Sequence, residues 1–244
     1  MKRLFFRIHI IFKAMILFLR PSLLLGWLQP FTFLFTNTLS LTHWIQKHRK
    51  KAEFNDYFTW KIDNNKRFNL YNNIILQFKL ELSIINYFEF GVSTGVSFKY
   101  WTTHLTNSKN RYFGFDTFEG LPEKWGLFYE KGDMKSNVPN LNDDRATFIK
   151  GLFQDTLPDF LVNNTIDKSI KKIIHLDADL FTSTLFVLGS IAPILNKGDI
   201  LIFDEFNVPN HEFLAFKFFT ESYLVKTKLI CAVNNFHQVA FLIV

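Results

Sequence analysis

The sequence predicts an α/β fold, a mostly parallel sheet covered by helices on both faces and closed by an antiparallel hairpin. Three observations predict it. Short apolar runs alternate with helix-like segments from Asn86 onward, the pattern of strands joined by helical crossovers. The last two runs, Lys228 to Val233 and Gln238 to Val244, are separated by a short turn, as in a hairpin. Acidic residues fall at the ends of four of the runs, the edge where open α/β sheets bind ligands.

The elements follow in order. Asn86 to Gly91 reads as the first strand and Gly95 to Leu105 as a helix. Arg111 to Asp116 is the second strand, and Thr147 to Lys150 a weaker third, followed by a helix near Leu157 to Val162. Lys172 to Asp177 and Asp199 to Asp204 are the fourth and fifth strands, followed by helices over Ser183 to Leu195 and His211 to Tyr223. With the hairpin this makes seven strands. The chain divides into a basic apolar segment over 1–51, a helical lead-in over 52–85 and the α/β domain over 86–244.

Charge is placed unevenly. Residues 1–51 hold nine Lys and Arg (Lys2, Arg3, Arg7, Lys13, Arg20, Lys47, Arg49, Lys50, Lys51) and no acid, whereas the rest holds 19 bases against 22 acids. The net charge of +6 therefore belongs to the N-terminus and argues against nucleic-acid binding by the domain. Lys2, His9, Lys13 and Arg20 share one helical face of an apolar stretch, which suits a helix lying in an anionic membrane surface, with Lys47 to Lys51 as a second basic block. Pro21 to Gln46 is long enough to span a bilayer, but Gln29-Pro30 and Thr36-Asn37-Thr38 interrupt it. Three readings stand: a membrane-associated segment, a targeting peptide, or a helical cap on the domain or on a partner subunit in a homodimer. The 31 Phe reflect AT-rich coding, and the single Cys231 excludes an internal disulfide and reads as a packed thiol.

The first strand ends in Glu89-x-Gly91-x-x-x-Gly95. This lacks the paired glycines of the nicotinamide fingerprint and the Gly-Lys-Ser/Thr of a phosphate loop. Gly91 allows a tight turn, Gly95 a close backbone approach, and Ser97 with the free N–H groups of the helix faces the same spot. Glu89 would repel a pyrophosphate but suits an ammonium or sulfonium, as in S-adenosylmethionine, with Asp116 placed for the ribose hydroxyls.

Five ordered blocks, FEFGVSTGVS, FGFDTFEGLPE, GLFQDTLPDF, HLDADLFTST and GDILIFDEF, with the closing FHQVAFLIV, make the chain resemble a class I S-adenosylmethionine-dependent methyltransferase of the macrocin O-methyltransferase family. The resemblance implies a Rossmann-like sheet, a sugar hydroxyl as acceptor and a divalent cation, usually Mg2+. It also implies that Glu89, Gly91, Gly95 and Ser97 hold the methionine part of the donor, Asp116 the ribose, and Asp155 lies near the adenine unless it caps the following helix. It does not reach the first fifty residues. Charge leads to the cation independently, because carboxylates converging from neighbouring strands repel unless neutralised, and all-oxygen ligation favours Mg2+ or Ca2+. Asp177, Asp204 and Glu205 are the expected ligands, with Asp179 as general base, fourth ligand or helix cap. Glu205 stands where the family often has a second Asp. His104, His175, His211 and His237 are scattered and set aside, and Asn163-Asn164-Thr165 is a weak glycosylation match. Gly120 to Arg145 reads as a lid in which Trp125, Phe128 and Tyr129 contact the acceptor or anchor the loop.

The expectation is thus a metal-assisted O-methyltransferase acting on a small-molecule or glycan acceptor, cytoplasmic and peripheral at the membrane. The rivals are a methyltransferase for a non-sugar metabolite and a membrane-bound protein that keeps the fold without catalysis.

Overall fold

The structure, a computed structural model, describes residues 1–126 and 128–244. An N-terminal arm of three helices, α1 (Lys2–Leu19), α2 (Ser22–Leu25) and α3 (Gln29–His48), precedes a short strand β1 (Phe54–Asn55) and helix α4 (Lys66–Gln77). The alternating part follows as β2 (Ile85–Phe90), α5 (Val96–His104), β3 (Arg111–Asp116), β4 (Ala146–Lys150), α6 (Phe153–Asn163), β5 (Lys171–Leu176), α7 (Phe181–Ile191), β6 (Ile200–Phe203) and α8 (Glu212–Ser222). The hairpin β7 (Thr227–Val233) and β8 (Gln238–Ile243) closes it.

The strands form one sheet in the order β1-β7-β8-β6-β5-β2-β3-β4. Every neighbouring pair is parallel except β8 with β6 and with β7. The sheet has eight strands where the sequence predicts seven. The extra strand is β1, in which Phe54 pairs with Cys231 and Asn55 with Ala232. Two residues carry no readable alternation, so only the tertiary pairing reveals them. The expected lead-in over 52–85 is likewise helical mainly in α4, because residues 52–55 run along the sheet edge instead.

Central strands are apolar and buried on both faces; all six residues of β2 are buried. One face packs under α3, α6, α7 and α8, the other under α4 and α5. Chain order reverses between β2 and β5. From β2 the chain moves outward through β3 and β4, then returns to the other side of β2 as β5. That switch point leaves a crevice at the carboxyl ends of β2 and β5.

Among the described residues the arm is anchored through α3 from Asn37 onward. Asn37, Leu41 and Ile45, spaced four apart, are its buried residues, and α1 has none. Trp44 lies within 6.3 Å, centroid to centroid, of Phe206, Phe213, Phe216, Phe236 and Phe241. Asn37 Nδ2 donates to Asn210 Oδ1 at 2.8 Å. The polar triplet that breaks the apolar stretch in the sequence thus ties the arm to the domain. Arg20 ends α1 in the left-handed region and Pro21 follows, so α1 and the Ser22–His48 helices meet at a bend of 53°. Among the described residues no single helix is long and apolar enough to cross a membrane.

Phe216 lies 4.4 Å from Phe241 in a stacked pair and also touches Trp44, Phe203 and Phe206. Phe216→Ala should cost about 3–5 kcal/mol in urea unfolding, the range for a large ring lost from a packed core. Unchanged unfolding midpoints would mean that this aromatic cluster does not carry the docking of α3.

Candidate active site

A cavity of about 670 Å3 lies over the carboxyl ends of β2 to β6. Its walls come from the turn after β2, the start of the lid after β3, the segment before α6, and the carboxylates after β5 and β6. A volume of this size accommodates a nucleoside-sized ligand with room beside it.

The glycine turn is built as its spacing implies. Gly91 has φ +92°, and a Cβ there would sit 1.8 Å from the Asp177 carbonyl oxygen, so the carboxyl ends of β2 and β5 meet only because this residue has no side chain. Gly95, at φ +78°, opens α5 with Pro139 of the lid against it. Asp116 locks the turn from the neighbouring strand. Its Oδ2 accepts the Val92 and Ser93 N–H groups at 2.8 and 2.7 Å, and its Oδ1 accepts the Phe118 N–H at 2.6 Å. Asp116 still lines the cavity, with one lone pair of Oδ1 left for a ligand.

Glu89 lies below the cavity and is absent from its wall. It is fully buried, and it accepts the Tyr87 hydroxyl at one oxygen and the Ser97 hydroxyl, at 2.8 Å, at the other. Ser97 itself reaches the cavity, so Glu89 is linked to the cavity through Ser97. Asp155 does not take the place expected of it. It is exposed in the first turn of α6, which starts at Phe153, four residues earlier than the sequence suggests, so it neither lines the cavity nor precedes the helix as a cap. Leu152, Phe153 and Gln154 form that wall instead.

The acids after β5 and β6 converge, in a set that differs by one residue from the expected ligands. Asp177, Asp179 and Glu205 each bring a carboxylate oxygen to within 4.8 Å of the others. Asp204, expected as a ligand, turns toward Arg67 of α4, its Oδ2 3.5 Å from Nη1. Asp204 and Glu205 both line the cavity, but only Glu205 brings an oxygen into that group. Asp179 occupies the left-handed region at φ +57°, a strained conformation that brings its side chain back beside Asp177.

Burial, followed by the charges of Asp204 and Asp116, pushes the Asp179 carboxyl up to about 7. Burial, then Asp204 and Asp179, pushes Asp177 well above the usual carboxylate range, and burial with Asp177 and Asp204 does the same to Glu205. Glu205 Oε2 and Asp204 Oδ1 are buried without a hydrogen-bond partner. Three convergent oxygens, one of them unpartnered, fit a hard divalent cation, and the His and Cys residues that would favour zinc do not join the group.

Three residues of this region escape a reading of the sequence. Glu212 is fully buried in the first turn of α8, where its Oε2 accepts the Glu205 N–H at 2.9 Å and its Oε1 has no partner. Its signal was an acid opening an otherwise apolar helix. His237 lines the cavity from the β7–β8 turn, its Nδ1 3.0 Å from Asn207 Oδ1, and burial lowers its pKa. Arg67 had no signal at all. In the lid, Leu121 exchanges backbone hydrogen bonds with Gly132 and Asp133, and the rings of Trp125 and Tyr129 stack at 4.9 Å and line the cavity. Leu127, between them, lies outside the described residues.

Residues 88–206, just under half of the chain, match the family model of a methyltransferase domain. The chain carries a methyltransferase domain. The expected methyltransferase class is thereby borne out, and the superpositions that follow bear out the Rossmann-like fold. Among solved structures, the calicheamicin methyltransferase CalS11 superposes with a TM-score of 0.58 at 20% identity, covering 85% of this chain and 91% of that one. Its apo form, described as a TDP-rhamnose 3'-O-methyltransferase, gives a TM-score of 0.52 at 19% identity over 85% of this chain and 93% of that one. The O-methyltransferase NovP gives a TM-score of 0.54 at 18% identity over 73% and 79%. At such identities the likeness establishes the fold. No curated protein matches the sequence.

Gly91→Ala should destabilise this methyltransferase domain by at least about 3 kcal/mol in denaturant unfolding, from a strained φ and a backbone collision together. Gly126→Ala, also at positive φ but with nothing within 4 Å, should cost about 1 kcal/mol. Equal losses would mean that the contact of Gly91 with Asp177 does not constrain the switch point.

Proposed function

We propose that this chain transfers the methyl group of S-adenosylmethionine to a hydroxyl of a sugar or glycosylated acceptor, with Mg2+ as the assisting cation. The observation that carries the reading is the continuity of one cavity from the glycine turn to the carboxylate group. It holds a place for the donor and, beside it, a place where a hydroxyl meets acids. The macrocin-like sequence blocks and the fold shared with a TDP-rhamnose 3'-O-methyltransferase support a sugar acceptor.

In this reading the donor's methionine end lies over Gly91, Gly95 and Ser97, and its ribose reaches the free lone pair of Asp116. Asp177, Asp179 and Glu205 hold the cation, which supplies Lewis acidity to a nearby hydroxyl. Asp179, which lines the same cavity, also receives the hydroxyl proton. The acceptor oxygen forms a bond to the methyl carbon as the carbon–sulfur bond breaks. Its electron pair stays on sulfur, leaving a neutral thioether and a methyl ether. Asp204, paired with Arg67, lines the same cavity. The lid with Trp125 and Tyr129 closes over the reacting pair and limits water.

Calorimetry should find micromolar binding of S-adenosylmethionine, weakened by about tenfold or more in Asp116→Ala. Asp179→Asn should lower turnover by about 10²–10⁴-fold with donor affinity retained, whereas His237→Gln should stay within about tenfold. Undiminished turnover in a chelator would remove the cation, and absent donor binding would remove the methyl-transfer reading altogether.

A further inference from the structure

The cavity lies on one rim of the sheet, and exposed apolar side chains from three separate segments gather at that rim. The first is the arm. Trp44 packs on Phe241, in the middle of β8, while Asn37, about 10 Å further up the helix, bonds to Asn210 in the loop that follows Glu205. Helix α3 therefore runs toward the carboxyl ends of the strands, and its first eight residues, about 12 Å, continue past them. Beyond that point Leu4, Ile11, Phe18, Leu24, Trp27 and Phe31 are all exposed.

The second segment is the chain from β1 to α4. Thr59 and Asp63 hydrogen-bond to Asn235 and Asn234 in the β7–β8 turn, next to His237 of the cavity wall. On either side of Thr59, Phe58 and Trp60 stand with ring centroids 4.5 Å apart, and Trp60 is 92% exposed. The third is the tip of the lid, where Phe128 is 87% exposed. Apolar exposure on this scale calls for a partner.

Charge says which partner. The arm carries Lys2, Arg3, Arg7, Lys13 and Arg20 with no acid; Lys2, Lys13 and Arg20 share the face opposite Leu4, Ile11 and Phe18, and Arg3 and Arg7 lie to one side, at the flank of the apolar face. A second copy of the arm would bring like charge against like charge, whereas an anionic lipid surface complements both faces at once. Tryptophan at the edge of such a surface is the residue that interfaces favour.

We propose that the carboxyl rim docks on an anionic phospholipid bilayer, with α1 lying in the interfacial plane and Trp60 and Phe128 as further contacts. The cavity then opens toward the lipid. If the methyl-transfer reading holds, the acceptor hydroxyl is one carried at a membrane surface, such as the headgroup of a glycosylated lipid. The docking itself does not depend on that reading.

The test is flotation of the full chain with vesicles of phosphatidylcholine alone and with vesicles that also contain phosphatidylglycerol. The protein should float with the anionic vesicles, sediment with the neutral ones, and be released by high salt. The combined variant Lys2→Glu, Arg3→Glu, Arg7→Glu and Lys13→Glu, all on a helix without buried residues, should bind at least about a hundredfold more weakly. Trp60→Ala should also weaken binding, and both variants should keep the parent's affinity for S-adenosylmethionine. Flotation unchanged by charge reversal overturns the proposal. So does a parent chain that ignores both vesicles and instead forms a stable oligomer in which α1 is protected from proteolysis, which assigns the arm to a second copy.

Discussion

Repulsion among buried carboxylates is the constraint on which the rest of this structure depends. Asp177, Asp179, Asp204, Glu205 and Glu212 crowd the carboxyl ends of β5 and β6, and among the described residues the one ion pair that reaches them is Arg67 with Asp204. The opposite end of the same strands is arranged otherwise. There the buried Lys172 ammonium lies 3.4 Å from Asp199, whose Oδ1 also accepts the Lys172 N–H. A chain selected for stability alone has that solution available at both ends. Leaving acids unpaired at one end lowers stability, and such clusters persist where a ligand supplies the missing charge.

The fold places this cluster beside the donor turn. Reversal of chain order between β2 and β5 opens the crevice, and the absent side chain of Gly91 lets the two strand ends touch. Asp116 holds the turn through three backbone N–H groups, so the same carboxylate shapes the loop and faces the cavity. Glu89 works one layer down, buried between Tyr87 and Ser97, with His175 Nδ1 3.8 Å away. The turn is therefore preorganised in part by side chains that lie below the cavity, which lowers the cost of ordering it on binding.

The alternating elements were legible in the sequence because each strand is a continuous apolar run and each turn carries glycine or acid. Strand β3 falls where the sequence puts it, and the other strands within a residue or two at either end. Strand β1 was not legible, since two residues have no period. Asp155 was misplaced because Pro158 obscured a helix that begins before it; proline inside the first two turns was tolerated. That Asp179 rather than Asp204 joins Asp177 and Glu205 could not be read, because it depends on a left-handed backbone at a non-glycine residue. Arg67 and His237 come from distant segments that only the packing of α4 and the β7–β8 turn brings to the cavity. His175, set aside as a core residue, is one: fully buried, within 2.9 Å of the Tyr87 hydroxyl.

The N-terminal arm extends the same reasoning from the site to its surroundings, since it is joined to the domain beside the loop that carries Glu205 and shares the rim with the cavity. Its role and the chemistry of the site are separable questions, and the central claim concerns the site. Electron paramagnetic resonance with Mn2+, which takes the same oxygen ligands as Mg2+, tests it most directly. The account predicts one bound Mn2+ per chain, displaced by Mg2+ and lost in Glu205→Gln, a change that keeps the side-chain shape and removes the charge. A chain that binds S-adenosylmethionine normally but leaves Mn2+ free in solution would contradict it.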